Sequence, residues 1–121
     1  GQKCTASSRL VVHESIHDEF VDRMQKSTSA LKVGHALEEG TQIGPASSEE
    51  QLASNLKYMD LARQEGCEVV CGGEQLELKT PGFYMQPALL IGGNNSMRVN
   101  REELFAPMAC VIKVKDYDEA L

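Results

Sequence analysis

Short apolar runs alternate with amphipathic stretches along this chain, and that alternation restricts its fold more than any other feature. RLVVH at 9–13 is brief and β-branched, as a buried strand requires. Ser15 and Asp18 supply a helix start signal directly after it, and Ile16, Phe20, Met24 and Leu31 recur at spacings near four and seven, one apolar stripe. A glycine-rich, charged loop at 34–46 leads to a second start signal, Ser47 with Glu50. Leu52, Leu56 and Met59 then define a second helix stopped by Gly66. CEVVC at 67–71, FYMQPALLI at 83–91 and MACVIKV at 108–114 read as further strands, punctuated by glycine pairs at 72–73 and 92–93. Strands interleaved with amphipathic helices predict a layered α/β domain with a largely parallel or mixed sheet.

The 121 residues suit one domain and are few for an enzyme with a large cofactor. A net charge of −6 and the lack of a Lys/Arg cluster argue against nucleic acid or an acidic membrane surface as partner. No apolar stretch approaches the roughly 20 residues of a membrane span, and no secretory signal is visible, so a cytoplasmic location is expected. Cys4, Cys67, Cys71 and Cys110 are too few and scattered for a disulfide framework and fit free thiols. At the far end, DYDEAL opens a helix with Asp116 or Asp118 as cap and the sequence stops; at the near end stands Gly1, not Met. Together these predict an internal fragment.

The opening GQKCTASSR sets Cys4 after a glycine and before four small residues. Thr5 to Ser8 can open a helical turn whose free N–H groups face the sulfur, an arrangement that stabilises thiolate and can hold an oxyanion. Taken alone, a cysteine among small residues is more often a packing residue, and no nearby histidine supplies a base.

GQKCTASSR resembles the catalytic-cysteine segment of the aldehyde dehydrogenase superfamily at Gly1, Gln2, Cys4, Ala6 and Arg9. GTQIGP at 40–45, PGFYMQPALL at 81–90 and REELFAP at 101–107 resemble further family motifs in the family's order and spacing, so the likeness covers essentially the whole chain. The resemblance implies a three-layer α/β/α catalytic domain, truncated at both ends. Residues 1–121 are then a partial, cysteine-bearing catalytic domain without the dinucleotide-binding domain or the oligomerisation arm. It further implies an NAD- or NADP-dependent oxidation of an aldehyde to the acid in a parent protein that is a dimer or tetramer. The segments around 66–90 and 101–121 are most similar to semialdehyde-specific members, notably 2-oxoglutarate semialdehyde dehydrogenases.

In the role the family assigns, Cys4 attacks the carbonyl and carries a thiohemiacetal and then a thioester. The family's general-base glutamate and oxyanion asparagine come from upstream, so the isolated chain is expected to lack turnover. Glu103 and Phe105 inherit the contacts to the nicotinamide ribose hydroxyls and the nicotinamide ring. If the segment is extended, their side chains project the same way. The residues alone favour a capping box of Asn100 with Glu103 and a core role for Phe105; the resemblance reverses that preference. The sequence departs from the family at Ala106, where glycine is usual, and at Met108, where valine is common. Alanine accepts the extended backbone that a following proline favours, so a small effect on the loop is expected.

Cys67 and Cys71 lie about 13 Å apart if in one strand, too far for a disulfide, and read as core thiols. His13, His17 and His35 show no metal-ligand spacing, His17 is expected in solvent, and no metal is assigned. The competing possibilities are a non-catalytic folding or dimerising module from a truncated gene product and an inactive paralogue.

Overall fold

A computed structural model describes residues 2–121; the expectations placed on Gly1 fall outside the described residues. Among the described residues, six strands and four helices follow the order β1 (Arg9–His13), α1 (Glu14–Ser29), α2 (Glu49–Gln64), β2 (Glu68–Cys71), β3 (Gln75–Leu76), β4 (Tyr84–Met85), β5 (Ala88–Ile91), α3 (Arg98–Arg101), β6 (Met108–Val114) and α4 (Tyr117–Ala120). The main sheet runs β1-β6-β5-β2, with β1 and β5 parallel to β6 and β2 antiparallel to β5. This is the mixed sheet expected.

Two cores show that helices cover both faces. Leu89 of β5 and Val111 of β6 pack against Phe20, Val21 and Met24 of α1. Their neighbours Leu90, Cys110 and Ile112 turn to the opposite face and meet Leu52, Met59 and Ala62 of α2. Strand side chains alternate, so β5 and β6 must be apolar on both faces, and ALLI and MACVIKV are. The result is three layers, α/β/α.

Several local readings shift. α1 begins at Glu14 because β1 runs into it without a loop, and His13 is the N-cap, its Nδ1 accepting the Ser15 N–H at 3.2 Å. The buried stripe is accordingly His17, Phe20, Val21 and Met24, while Ile16 is 55% exposed. His17, expected in solvent, is 6% exposed, with Nδ1 2.8 Å from Asp18 Oδ1. The second start signal acts one residue later than expected: Ser48 Oγ accepts the Gln51 N–H at 3.2 Å. α2 ends with Glu65 as C-cap followed by Gly66 at φ +99°, the left-handed step that suits glycine.

FYMQPALLI is two strands in two sheets rather than one. Pro87 has no N–H to give a ladder, and β4 pairs instead with β3, a short strand the sequence did not reveal. The backbone crosses tightly there: a Cβ on Gly72, at φ +71°, would lie 1.8 Å from the Pro87 carbonyl oxygen. α4 forms with Asp116 as its cap, the carboxylate accepting the Glu119 N–H at 2.9 Å.

Candidate functional site

The helical turn expected after Cys4 is absent. Lys3 to Ala6 form a single turn closed by Ala6 N–H to the Lys3 carbonyl at 2.9 Å. Beyond it the chain runs into β1, and the Ser8 carbonyl already accepts the Cys110 N–H at 2.8 Å. Pairing with β6 competes with a helix for these residues and wins. Cys4 is therefore an exposed thiol at a turn leading into a strand, and among the described residues the segment that follows it is not helical.

Cys4 lines a cavity of about 80 Å³ together with Lys3, Asn100, Glu103, Phe105 and Cys110. All three residues singled out from the sequence thus share one cavity, although Cys4 and the Glu103 loop come from opposite ends of the chain. Parallel pairing of β1 with β6, and of β6 with β5, brings them together. The cavity lies where Ser8 and Met108 enter the sheet and is lined in part by Leu90 of β5 and by Met108, Ala109 and Cys110 of β6.

The geometry of the 102–107 loop differs from an extended strand. Phe105 takes φ +52°, the only positive φ of a non-glycine residue among those described. The left-handed backbone turns the chain there, so period-two projection does not explain how Glu103 and Phe105 reach one cavity. Ala106 keeps ordinary φ and is buried, so alanine is accommodated and the strain falls one residue earlier. Asn100 does not cap Glu103. It sits inside α3, and its Nδ2 donates to the Asn94 carbonyl at 2.9 Å and to Cys110 Sγ at 3.6 Å.

Glu103 makes no side-chain hydrogen bond or ion pair among the described residues, and the Phe105 ring is 42% exposed. A free carboxylate can accept from two hydroxyls at once, and an open ring face can stack on a planar ring. These are the functions a nicotinamide riboside asks of its partners, so the residues present fit that group. Among the described residues no three His, Cys, Asp or Glu side chains converge as a metal site needs.

Cys67 and Cys110 are buried side by side, and Cys71 stands half-buried on the α1 face. All four cysteines are free thiols. Burial pushes the Cys67 thiol up to about 11, with the neighbouring Cys110 adding to the effect. Burial raises Cys110 as well, against hydrogen bonds from Asn100, the Gly93 backbone and Cys67 that partly offset it. Neither buried sulfur is suited to act as a thiolate near neutrality.

Residues that sequence reading missed surround the loop. Gln51 Nε2 donates to the Leu104 carbonyl at 3.1 Å and to Asn55 Oδ1 at 2.7 Å. The Tyr58 hydroxyl donates to the Glu102 carboxylate, which also receives Arg98 Nε at 2.6 Å. Arg98 and Tyr58 hold the Glu102 carboxyl below its usual range. One signal was available: Asn55 falls between Leu52 and Met59, on the apolar side of α2, where a polar residue needs a reason.

The Aldehyde dehydrogenase family pattern matches residues 1–121. The chloroplastic betaine aldehyde dehydrogenase of Atriplex hortensis is 42% identical over 121 residues, all of this chain and 24% of that protein. Acetaldehyde dehydrogenase 2 of Cupriavidus necator is 42% identical over 124 residues, again 100% of this chain and 24% of the relative. The NAD+ complex of the Bacillus cereus aldehyde dehydrogenase superposes with a TM-score of 0.92 at 31% identity, covering 99% of this chain and 24% of that one. The chain thus spans about a quarter of the length of the relatives it matches. With a three-layer fold shared across its whole length and the motif-bearing cysteine and loop meeting in one cavity, the chain belongs to the aldehyde dehydrogenase family.

Proposed function

We propose that this chain is the cysteine-bearing part of the catalytic domain of an NAD(P)-dependent aldehyde dehydrogenase, and that Cys4 is the nucleophile. The observation that carries this reading is the single cavity lined by Cys4, Glu103 and Phe105. The Cys4 sulfur forms a bond to the aldehyde carbon and the carbonyl oxygen gains a proton, giving a thiohemiacetal on Cys4. When bound, the nicotinamide supplies the hydride acceptor that makes oxidation to the thioester possible. Glu103 would accept hydrogen bonds from ribose hydroxyls, and Phe105 would pack against the ring and keep water from that side. Water then cleaves the thioester, releasing the acid and the Cys4 thiol. In this reading the base for that step and a second oxyanion donor are supplied by residues other than these 121. For that reason the isolated 121-residue segment is expected to show no turnover.

The substrate in this reading is a semialdehyde of the 2-oxoglutarate semialdehyde kind. Lys3 lines the same cavity as Cys4, and its ammonium suits an aldehyde that carries a carboxylate. A cytoplasmic location and a dimeric or tetrameric parent complete the proposal. No helix among the described residues is long and apolar enough to cross a membrane.

The test uses the full-length natural protein, a panel of aldehydes with and without a distal carboxylate, and NAD or NADP. Cys4→Ala is expected to lower the rate by about three orders of magnitude or more. Glu103→Gln is expected to raise the KM for the cofactor more than that for the aldehyde. Turnover surviving in Cys4→Ala removes the nucleophile assignment, and a preference for uncharged aldehydes removes the semialdehyde assignment.

A further inference from the structure

Gln51, Asn55 and Tyr58 stand at positions i, i+4 and i+7 of α2, one face of the helix. Gln51 and Tyr58 bond to the loop that carries Glu103 and Phe105, and Asn55 between them bonds to Gln51. Tyr58 holds Glu102, and Gln51 holds the Leu104 carbonyl at 3.1 Å. Leu104 lies between Glu103 and Phe105, so the place of its carbonyl sets the place of both flanking side chains around the cavity.

Asn55 touches none of that loop in these bonds, yet it is 0% exposed. Its Oδ1 accepts from Gln51 Nε2 at 2.7 Å, while its buried Nδ2 has no partner among the described residues. An orphaned buried donor destabilises the fold, and an apolar side chain of like volume between Leu52 and Met59 avoids that penalty. Stability therefore does not explain the asparagine. Its one bond does something specific: it fixes the Gln51 amide, on a half-exposed stretch of helix, so that the same Nε2 points at Leu104 instead of rotating into solvent.

We propose that Gln51 and Asn55 are positioning residues for the Glu103–Phe105 loop, with Asn55 acting through Gln51. The consequence for cofactor binding rests on the aldehyde dehydrogenase reading above; the consequence for the loop does not. The loop that carries Glu103 and Phe105 holds a left-handed φ at Phe105. Such a residue relaxes when its neighbours are released. The Gln51 bond to Leu104 lies one residue from that point.

The experiment compares Asn55→Leu, Gln51→Leu and the double variant with the wild type in the full-length natural protein, by deuterium uptake and by steady-state kinetics with NAD. Both single variants should speed uptake across residues 101–107 and leave β5 and β6 as protected as before. Both should raise the KM for NAD about three- to tenfold, as loss of one bond to a placed group does, with a smaller change in kcat and in the aldehyde KM. Because Asn55 acts through Gln51, the double variant should be no worse than Gln51→Leu. Unchanged uptake at 101–107 overturns the proposal, as does an additive double variant or a parallel loss in every kinetic constant. Should Asn55→Leu fail to fold, Gln51→Leu alone decides the role of Gln51 by the same readings. If the wild type does not reduce NAD, the functional reading fails, and uptake at 101–107 alone upholds or overturns the positioning roles.

Discussion

At Phe105 a bulky residue occupies a backbone region that costs an L-residue about 1–2 kcal/mol. Phe105 is 42% exposed, so the burial of the rest of its surface offsets a cost of that order. Phe105→Gly should therefore change the thermal stability of the protein little, relief of the backbone offsetting the lost burial, while weakening NAD binding; calorimetry and an NAD titration on one preparation read both. A clear loss of stability would mean that the ring is held for packing. Cys67 makes a second residue-scale prediction. Its pKa is raised from 9.0 to about 11, so the folded state holds the thiol proton more tightly than the unfolded chain. The associated stability is fully present below the ordinary value of 9.0 and is lost as pH rises through about 11. Urea midpoints should fall between pH 9 and pH 11 in the wild type and fall less steeply in Cys67→Ala. Equal slopes in the two proteins would place the alkaline sensitivity elsewhere.

The elements form for reasons that differ in range. α2 is almost wholly local: Ser48 opens it, Leu52 and Met59 face the core, and Gly66 closes it. The neighbouring β3–β4 ribbon is not. Its two-residue strands exist because Gly72 and Gly73 fold the chain back on Pro87 and Gln86, with the Gly73 N–H donating to the Gln86 carbonyl at 3.0 Å. Gly72→Ala adds a Cβ 1.8 Å from the Pro87 carbonyl oxygen in a backbone region unfavourable to alanine. The expected cost is more than about 2 kcal/mol, and the chain should give way first at β3 and β4. Denaturation curves with deuterium uptake at 72–88 check it, and a cost below about 0.5 kcal/mol would show that the crossing is looser than drawn.

For the whole molecule, two helical layers share one sheet, so neither core is independent. Leu90 faces α2 and Val111 faces α1, and each is 0% exposed. Leu90→Ala should cost about 2–5 kcal/mol, and loss of secondary structure should coincide with loss of α1 packing. Two separate transitions, one for each face of the sheet, would show that the layers unfold apart.

The sequence by itself determined the elements whose signals are local: β1, both long helices, β2, β6 and the capped turn at Asp116. Their periodicities and caps act within a few residues, which suffices for the existence and type of each element. It also named Cys4, Glu103 and Phe105, through motif resemblance rather than through geometry. Tertiary structure alone decided what those residues meet. A helical turn after Cys4 was equally available to TASSR, and pairing of Ser8 with β6, more than a hundred residues away, removed it. His17 rather than Ile16 faces the sheet because β1 runs straight into α1 and sets the helix phase. The Gln51 and Asn55 amides matter only where the 102–105 loop passes α2. Hydrogen bonds between such distant segments are satisfied by position in space, and no local pattern records them.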